Sequence, residues 1–127
     1  MNMQVKIDTK EKLHVITIKE PKLAANMTAE LDECLAPFLQ NEVKNVVFNL
    51  EDIQTIDDAA AEWLVKIQQA FYEQNASFVV CCLQQPVEDL LDKKELLEVM
   101  NVTPTESEAW DIVQMEEIER EFLGEGE

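Results

Sequence analysis

At 127 residues, 46% of them apolar, the chain has the size of one domain, and such a body removes roughly two thirds of its unfolded surface from water. Its 27 acidic and 10 basic residues leave a net charge of −17, which repels phosphate backbones and anionic lipid. Nucleic acid is therefore not an expected partner, and no apolar run approaches the ~20 residues of a bilayer span.

The first residues lack the basic-then-apolar profile of a signal peptide, so the expected location is cytoplasmic, without membrane insertion. A basic protein partner fits the charge, with plain solubility as the other reading of the same acidity. Cys34, Cys81 and Cys82 show no framework spacing, and neighbours in a strand point to opposite faces, so reduced core thiols are expected.

Residues 3–8 alternate, with Met3, Val5 and Ile7 against Gln4, Lys6 and Asp8, and residues 13–19 alternate again through Leu13, Val15, Ile16 and Ile18. This predicts an N-terminal β-hairpin. Residues 20–26 contain Pro21 and no period, and read as a loop. Asn26 or Thr28 can cap the following helix, whose Leu31, Cys34, Leu35, Phe38 and Leu39 form an apolar stripe. Residues 46–50 then form a short β-branched run suited to a strand with both faces covered.

From residue 59 to 72 the period becomes helical through Ala60, Leu64, Ile67 and Phe71. Asp57 or Asp58 sits where that helix begins and can accept hydrogen bonds from its unpaired amides. The most charged loop of the body thus lies at the carboxyl end of a central strand, where open α/β sheets carry their functional surface. The helix should end near Gln74, with Asn75 in a left-handed exit turn.

Residues 77–83 read as another buried strand, and Pro86 suits the first turn of a third helix with Val87, Leu90 and Leu91 inward. Residues 101–104 form a candidate edge strand. Thr105 and Glu108 make a capping box for a terminal helix packed through Trp110, Val113, Ile118 and Phe122. Residues 116–127 hold six glutamates, one arginine and the chain's two glycines, Gly124 and Gly126, so the expected end is a frayed acidic tail. The order predicts an α/β fold: a mixed sheet of four to five strands, an N-terminal β-hairpin and four helices, with the domain over residues 1–115 and the helix end and acidic tail over 116–127.

Catalytic signatures are sparse. His14 is the only histidine and reads as a half-exposed strand residue, which leaves neither a zinc cluster nor an acyl-transfer triad. With no glycine before position 124, both common glycine-rich phosphate loops are absent. Glu51, Asp52, Asp57, Asp58 and Glu62 could hold Mg²⁺, but acids at a helix start more often complement its dipole, so no metal and no cofactor are expected. A phospho-receiver also needs an acidic pair after its first strand and a lysine after its last, which this chain does not supply. Trp63 lies beside the apolar stripe of its helix and reads either as satellite packing or as an aromatic anchor for a partner.

Residues 46–57, from Val46-Val47-Phe48-Asn49-Leu50 through Glu51-Asp52-Ile53-Gln54-Thr55-Ile56-Asp57, resemble the buried strand, the Asn/Asp-Leu exit and the aspartate-ending loop of STAS domains. That family includes anti-sigma-factor antagonists and the cytoplasmic ends of sulfate transporters. The later strand, the Pro86 helix and the terminal helix match in spacing, so the resemblance spans about residues 3 to 115. It implies a single STAS-like domain acting as a non-enzymatic protein-binding module.

In members that switch partners, the aspartate is followed by a serine or threonine, usually a second hydroxyl residue, then glycine, leucine and glycine; a kinase that doubles as an anti-sigma factor phosphorylates the first hydroxyl. Here Asp58, Ala59, Ala60, Ala61 and Glu62 stand at those positions, and Glu20-Pro21-Lys22-Leu23 replaces a frequent Gly-Glu-Leu-Asp. Asp58 carries about one negative charge where phosphoserine carries about −1.5 to −2. The resemblance implies an anti-sigma-factor-like kinase or other regulator as partner, met by Asp57, Asp58, Ala59, Glu62, Trp63, Lys22 and Leu23. Two alternatives remain: a STAS accessory subunit of a membrane lipid ABC transporter, and a metal- or phosphate-handling enzyme. Oligomeric state is left open.

Overall fold

A computed structural model describes residues 3–125. Its first elements are β1 (Val5–Thr9), β2 (His14–Ile18), β3 (Lys22–Leu23), α1 (Thr28–Leu35) and β4 (Val46–Asn49). There follow β5 (Thr55–Ile56), α2 (Asp58–Glu73), β6 (Phe78–Cys81), α3 (Gln85–Lys93), β7 (Val102–Thr103) and α4 (Glu106–Glu125). The sheet has the order β1-β2-β4-β6-β7, antiparallel at the β1–β2 hairpin and parallel at the other three pairings.

Because side chains alternate along a strand, each central strand feeds two cores. Val46, Phe48, Phe78, Val80, Ile16 and Ile18 point into the larger one, with Leu31 and Leu35 of α1, Leu64 and Phe71 of α2, and Val87 and Leu91 of α3. Val15, Val47, Val79 and Cys81 point the other way, against Ala109 and Val113 of α4. Parallel crossovers of one hand, taken stepwise in one direction, put α1, α2 and α3 on the same face, and α4 folds back over the other. Phe48 sits between Phe78 and Trp63, with ring centroids 5.4 and 6.0 Å away.

The expected hairpin, the doubly covered strands, the Pro86 start, the 102–103 edge strand and the left-handed Asn75 (φ 61°) are all present. Several local expectations fail. The 20–26 loop contains β3 and then a 3₁₀ turn over Ala25–Met27, and neither Asn26 nor Thr28 caps α1, whose N-cap is Met27. Pro37 allows no α-helical continuation, so the stripe finishes in a 3₁₀ stretch over Ala36–Gln40. His14 is buried, not half-exposed; its ring nitrogens meet Thr9 Oγ1 and the Val43 carbonyl, both at 2.9 Å, and its ring stacks near Phe38. Ile118 and Phe122 do not pack on the sheet and are 64% and 75% exposed. Helix continues through Glu125 where fraying was expected, and the rest of that expectation lies outside the described residues.

Beyond the apolar contacts of Ala109 and Val113, the later turns of α4 are held to the sheet by polar groups. Asn49 Nδ2, at the end of β4, donates to Glu106 Oε1 at 3.3 Å, whereas Asn45, just before β4, meets Glu117 and Arg120, so α4 runs antiparallel to β4 and the strands parallel to it. Buried Asn45 donates to the Lys12 carbonyl and to Glu117 Oε1 (3.0 and 2.8 Å), and accepts from the Ser77 amide and Arg120 (2.8 and 3.1 Å). Burial pushes the Glu117 carboxyl up, but the Asn45 amide and the Arg120 guanidinium outweigh it and hold it below the usual range. Glu116 Oε1 accepts from the Tyr72 and Ser77 hydroxyls, each at 2.6 Å. Burial, and then the Glu116 carboxylate, raise the Tyr72 phenol well above its ordinary value.

Removing Asn45 orphans several buried groups at once, so Asn45→Ala should cost about 3 kcal/mol in urea unfolding. A loss below about 1 kcal/mol would show that water replaces the network at little cost.

Candidate functional site

The site is built by a pairing that a linear reading cannot see. β3 and β5 form a two-stranded parallel ladder, Lys22 opposite Thr55 and Leu23 opposite Ile56, which draws the loops after β2 and β4 together beyond the carboxyl ends of the main sheet. The Pro21 carbonyl accepts from the amides of Gln54 and Thr55 (2.7 and 3.3 Å), and the Leu23 carbonyl accepts from the Asp57 amide at 3.2 Å. Pro21 takes part through its carbonyl alone, a group that proline retains.

Asp57, not Asp58, is the N-cap of α2. Its backbone is extended, with φ −93° and ψ 170°, and Oδ1 accepts from the Ala60 amide at 2.9 Å. Oδ2 accepts from the Ala25 amide, also at 2.9 Å, so one carboxylate ties the helix start to the segment after β3. Desolvation raises the Asp57 pKa, but the two amide bonds and nearby Lys22 outweigh it and hold the carboxyl below its ordinary value.

Asp58 opens the first turn of α2 with a side chain 71% exposed. Lys94, at the end of α3, places its ammonium 3.9 Å from Asp58 Oδ1 and 3.6 Å from Glu62 Oε2. These are surface pairs, each contributing at most about 1 kcal/mol. They nonetheless give the acidic helix start a cation of its own. Lys94 carried no signal in the sequence, because the left-handed turn at Glu95 (φ 60°) that ends α3 leaves no glycine or asparagine to mark it.

Of the seven residues expected to meet a partner, Lys22, Asp58, Ala59 and Glu62 are exposed and lie around the start of α2. Asp57 is half-buried in the capping bonds. Leu23 and Trp63 are corrections to the expected surface. Leu23 is fully buried in the main core, because its half of the β3–β5 ladder faces inward. Trp63 is only 8% exposed, lies against Phe48 and donates from Nε1 to Asp32 Oδ1 at 2.7 Å. α2 packs against the sheet and against α1 beside it, so its buried arc is wider than the predicted stripe and takes in Ala61 and Trp63.

Among the described residues, no group of three or more His, Cys, Asp or Glu side chains is placed to hold a metal ion, and no helix is long and apolar enough to cross a membrane. The acidic loop spreads its carboxylates: Asp52 pairs with Lys19 at 3.1 Å, and Asp57 faces amides. The α2 start is thus an exposed surface that carries charges of both signs.

With that geometry in place, family and fold agree. The STAS domain matches residues 4–109. The chain belongs to the STAS domain family. No curated protein matches its sequence. An anti-sigma factor antagonist from Mycobacterium paratuberculosis superposes with a TM-score of 0.76 at 11% identity, over 89% of this chain and 95% of that one. The anti-sigma factor antagonist SpoIIAA in its unphosphorylated form gives 0.68 at 16% identity, over 89% and 96%, and the phosphorylated form of Bacillus SpoIIAA gives 0.62 at 15%. The murine anion transporter Slc26a9 gives 0.68 at 12% identity over 82% of this chain, which corresponds to 18% of the transporter. At these identities the likeness establishes the fold alone.

Asp57→Ala should lower stability by about 1–2 kcal/mol near neutral pH, the cost of a lost N-cap. Because the folded-state carboxyl titrates below its unfolded value, its contribution is complete above about pH 5 and is lost as pH falls through the folded pKa. Wild-type and variant unfolding curves, measured from pH 7 down to pH 2, should therefore converge at the acid end. A gap that stays constant with pH would rule out the ionised carboxylate as its source.

Proposed function

We propose that this STAS domain is a non-enzymatic, cytoplasmic protein-binding module that engages its partner constitutively, with no phosphate switch at residue 58. The domain unit is residues 1–115, and the partner is an anti-sigma-factor-like kinase or another regulator. The contact surface is Lys22, Asp58, Ala59 and Glu62, held in place by Asp57.

One observation carries the reading. Asp58 stands at the position that resembles the family's phospho-acceptor, exposed in the first turn of α2, with its charge built in and Lys94 beside it. SpoIIAA exists in unphosphorylated and phosphorylated forms, and a phosphate at that position would bring about −1.5 to −2 charges. Asp58 brings one, and Lys94 offsets part of it. The helix start thus carries a fixed charge that falls short of a phosphate's and is shared with Glu62 around Lys94, which supports a standing association more than a permanent refusal. The net charge of −17 speeds encounter with a basic face.

A second reading, an accessory subunit of a membrane lipid transporter, draws on the occurrence of this fold as a fraction of the Slc26a9 chain. Affinity capture with the full chain separates the two, since one predicts a kinase-like regulator and the other a transporter ATPase. With the captured partner, Lys22→Glu combined with Glu62→Lys should weaken binding about tenfold or more, while Asp58→Ser stays within about threefold of wild type. Binding by Asp58→Ser that is more than about tenfold tighter than wild type would instead mark Asp58 as a lock that holds the partner off.

A further inference from the structure

α4 is apolar on two sides, and the sheet uses only one. Ala109 and Val113 are buried against the sheet, and half-buried Glu117 and Arg120 bond Asn45 beside them. At 100° per residue, Met115, Ile118 and Phe122 fall on the opposite side, spaced i, i+3 and i+7, and are 59%, 64% and 75% exposed. Leu123, 70% exposed, lies off this stripe, on the Glu116 flank beside Tyr72 and Asn75. Three large apolar side chains on one face within eight residues are not the scattered singles that a surface tolerates without consequence. They explain why Ile118 and Phe122 look like core residues in the sequence and are not.

The charge beside the stripe says what can cover it. Glu119 and Glu121 are exposed on its two flanks and Asp111 at its amino-terminal end, and none of the three takes part in the ion pairs found among the described residues. The one arginine of this segment, Arg120, points inward to Asn45, Ser77 and Glu117, so it neutralises nothing on the outer face. A second copy would set the same carboxylates against each other, between two molecules of charge −17. An anionic lipid surface is repelled for the same reason.

We propose that the outer face of α4 is a second docking surface, and that its occupant is an amphipathic helix of another protein with lysines or arginines beside its apolar stripe. This surface lies near the amino ends of β4 and β6, where Arg120 meets Asn45 and Ser77. The α2 start lies beyond their carboxyl ends. The domain can therefore hold a partner at each end, and this surface does not depend on the function proposed for Asp58.

A synthetic leucine–lysine helix of about 18 residues, with leucines at i, i+3, i+4 and i+7, is a suitable probe. It is titrated into the full-length protein while the backbone amide resonances are followed. Shifts should centre on residues 113–123 and spare residues 55–62. Ile118→Ser combined with Phe122→Ser leaves charge and sheet packing intact, and should weaken the probe about tenfold or more without lowering the melting temperature. Equal binding by a scrambled peptide of the same composition, or by the double variant, would reduce the effect to bulk charge and overturn the proposal. So would shifts confined to residues 55–62. Self-association in sedimentation that the double variant abolishes would make a second copy the occupant, which also overturns it.

Discussion

Both faces of β4 are out of water, and that constraint decides where everything else goes. A strand with Val46 and Phe48 on one side and Val47 on the other needs a layer against each face. α1, α2 and α3 supply one layer and α4 the other. Once the chain leaves β4 at Leu50 it must turn at the carboxyl edge of the sheet before α2 can return across it, and there the loop from 51 to 57 becomes available as a surface.

That loop is held by backbone pairing and one carboxylate more than by hydrophobic contact. The β3–β5 ladder fixes it to the segment after β2, and Asp57 closes the corner by taking amides from both Ala25 and Ala60. The cap and the inter-loop link are the same group, so one carboxylate joins the α2 start to the 24–25 segment. Asp58 is presented by this corner without taking part in it, which leaves its charge free for Lys94 and for a partner. Structure and the proposed recognition are thus divided between two adjacent aspartates.

The two ends of the molecule follow different physics. At the α2 end the surface is short-ranged and charged, with Lys22, Lys94, Asp58 and Glu62 close together. At the α4 end the buried network around Asn45 and Tyr72 replaces a hydrophobic seam. The last turns of α4 stay on the body through Glu116, Glu117 and Arg120, and their apolar residues remain outside. A helix pinned by polar contacts can afford an apolar outer face because its own folding does not need it.

The sequence by itself determined the α/β class, the hairpin, the buried central strands, the Pro86 helix start and the acidic helix start at 57–58, since each is written in a local period or a turn residue. It also carried the family resemblance, which rests on an ordered string of such local signals. Only the tertiary structure decided which residues face solvent. A two-residue strand such as β3 or β5 has no period to read and exists only through its opposite number some thirty positions away. Trp63 and Leu23 went inward, and Ile118 and Phe122 outward, because burial depends on how many neighbours surround an element, and apolar spacing along one helix does not report that. His14 and Lys94 make the same point for polar groups: their partners, Val43 and the Asp58–Glu62 pair, are distant in sequence and meet them only through the fold.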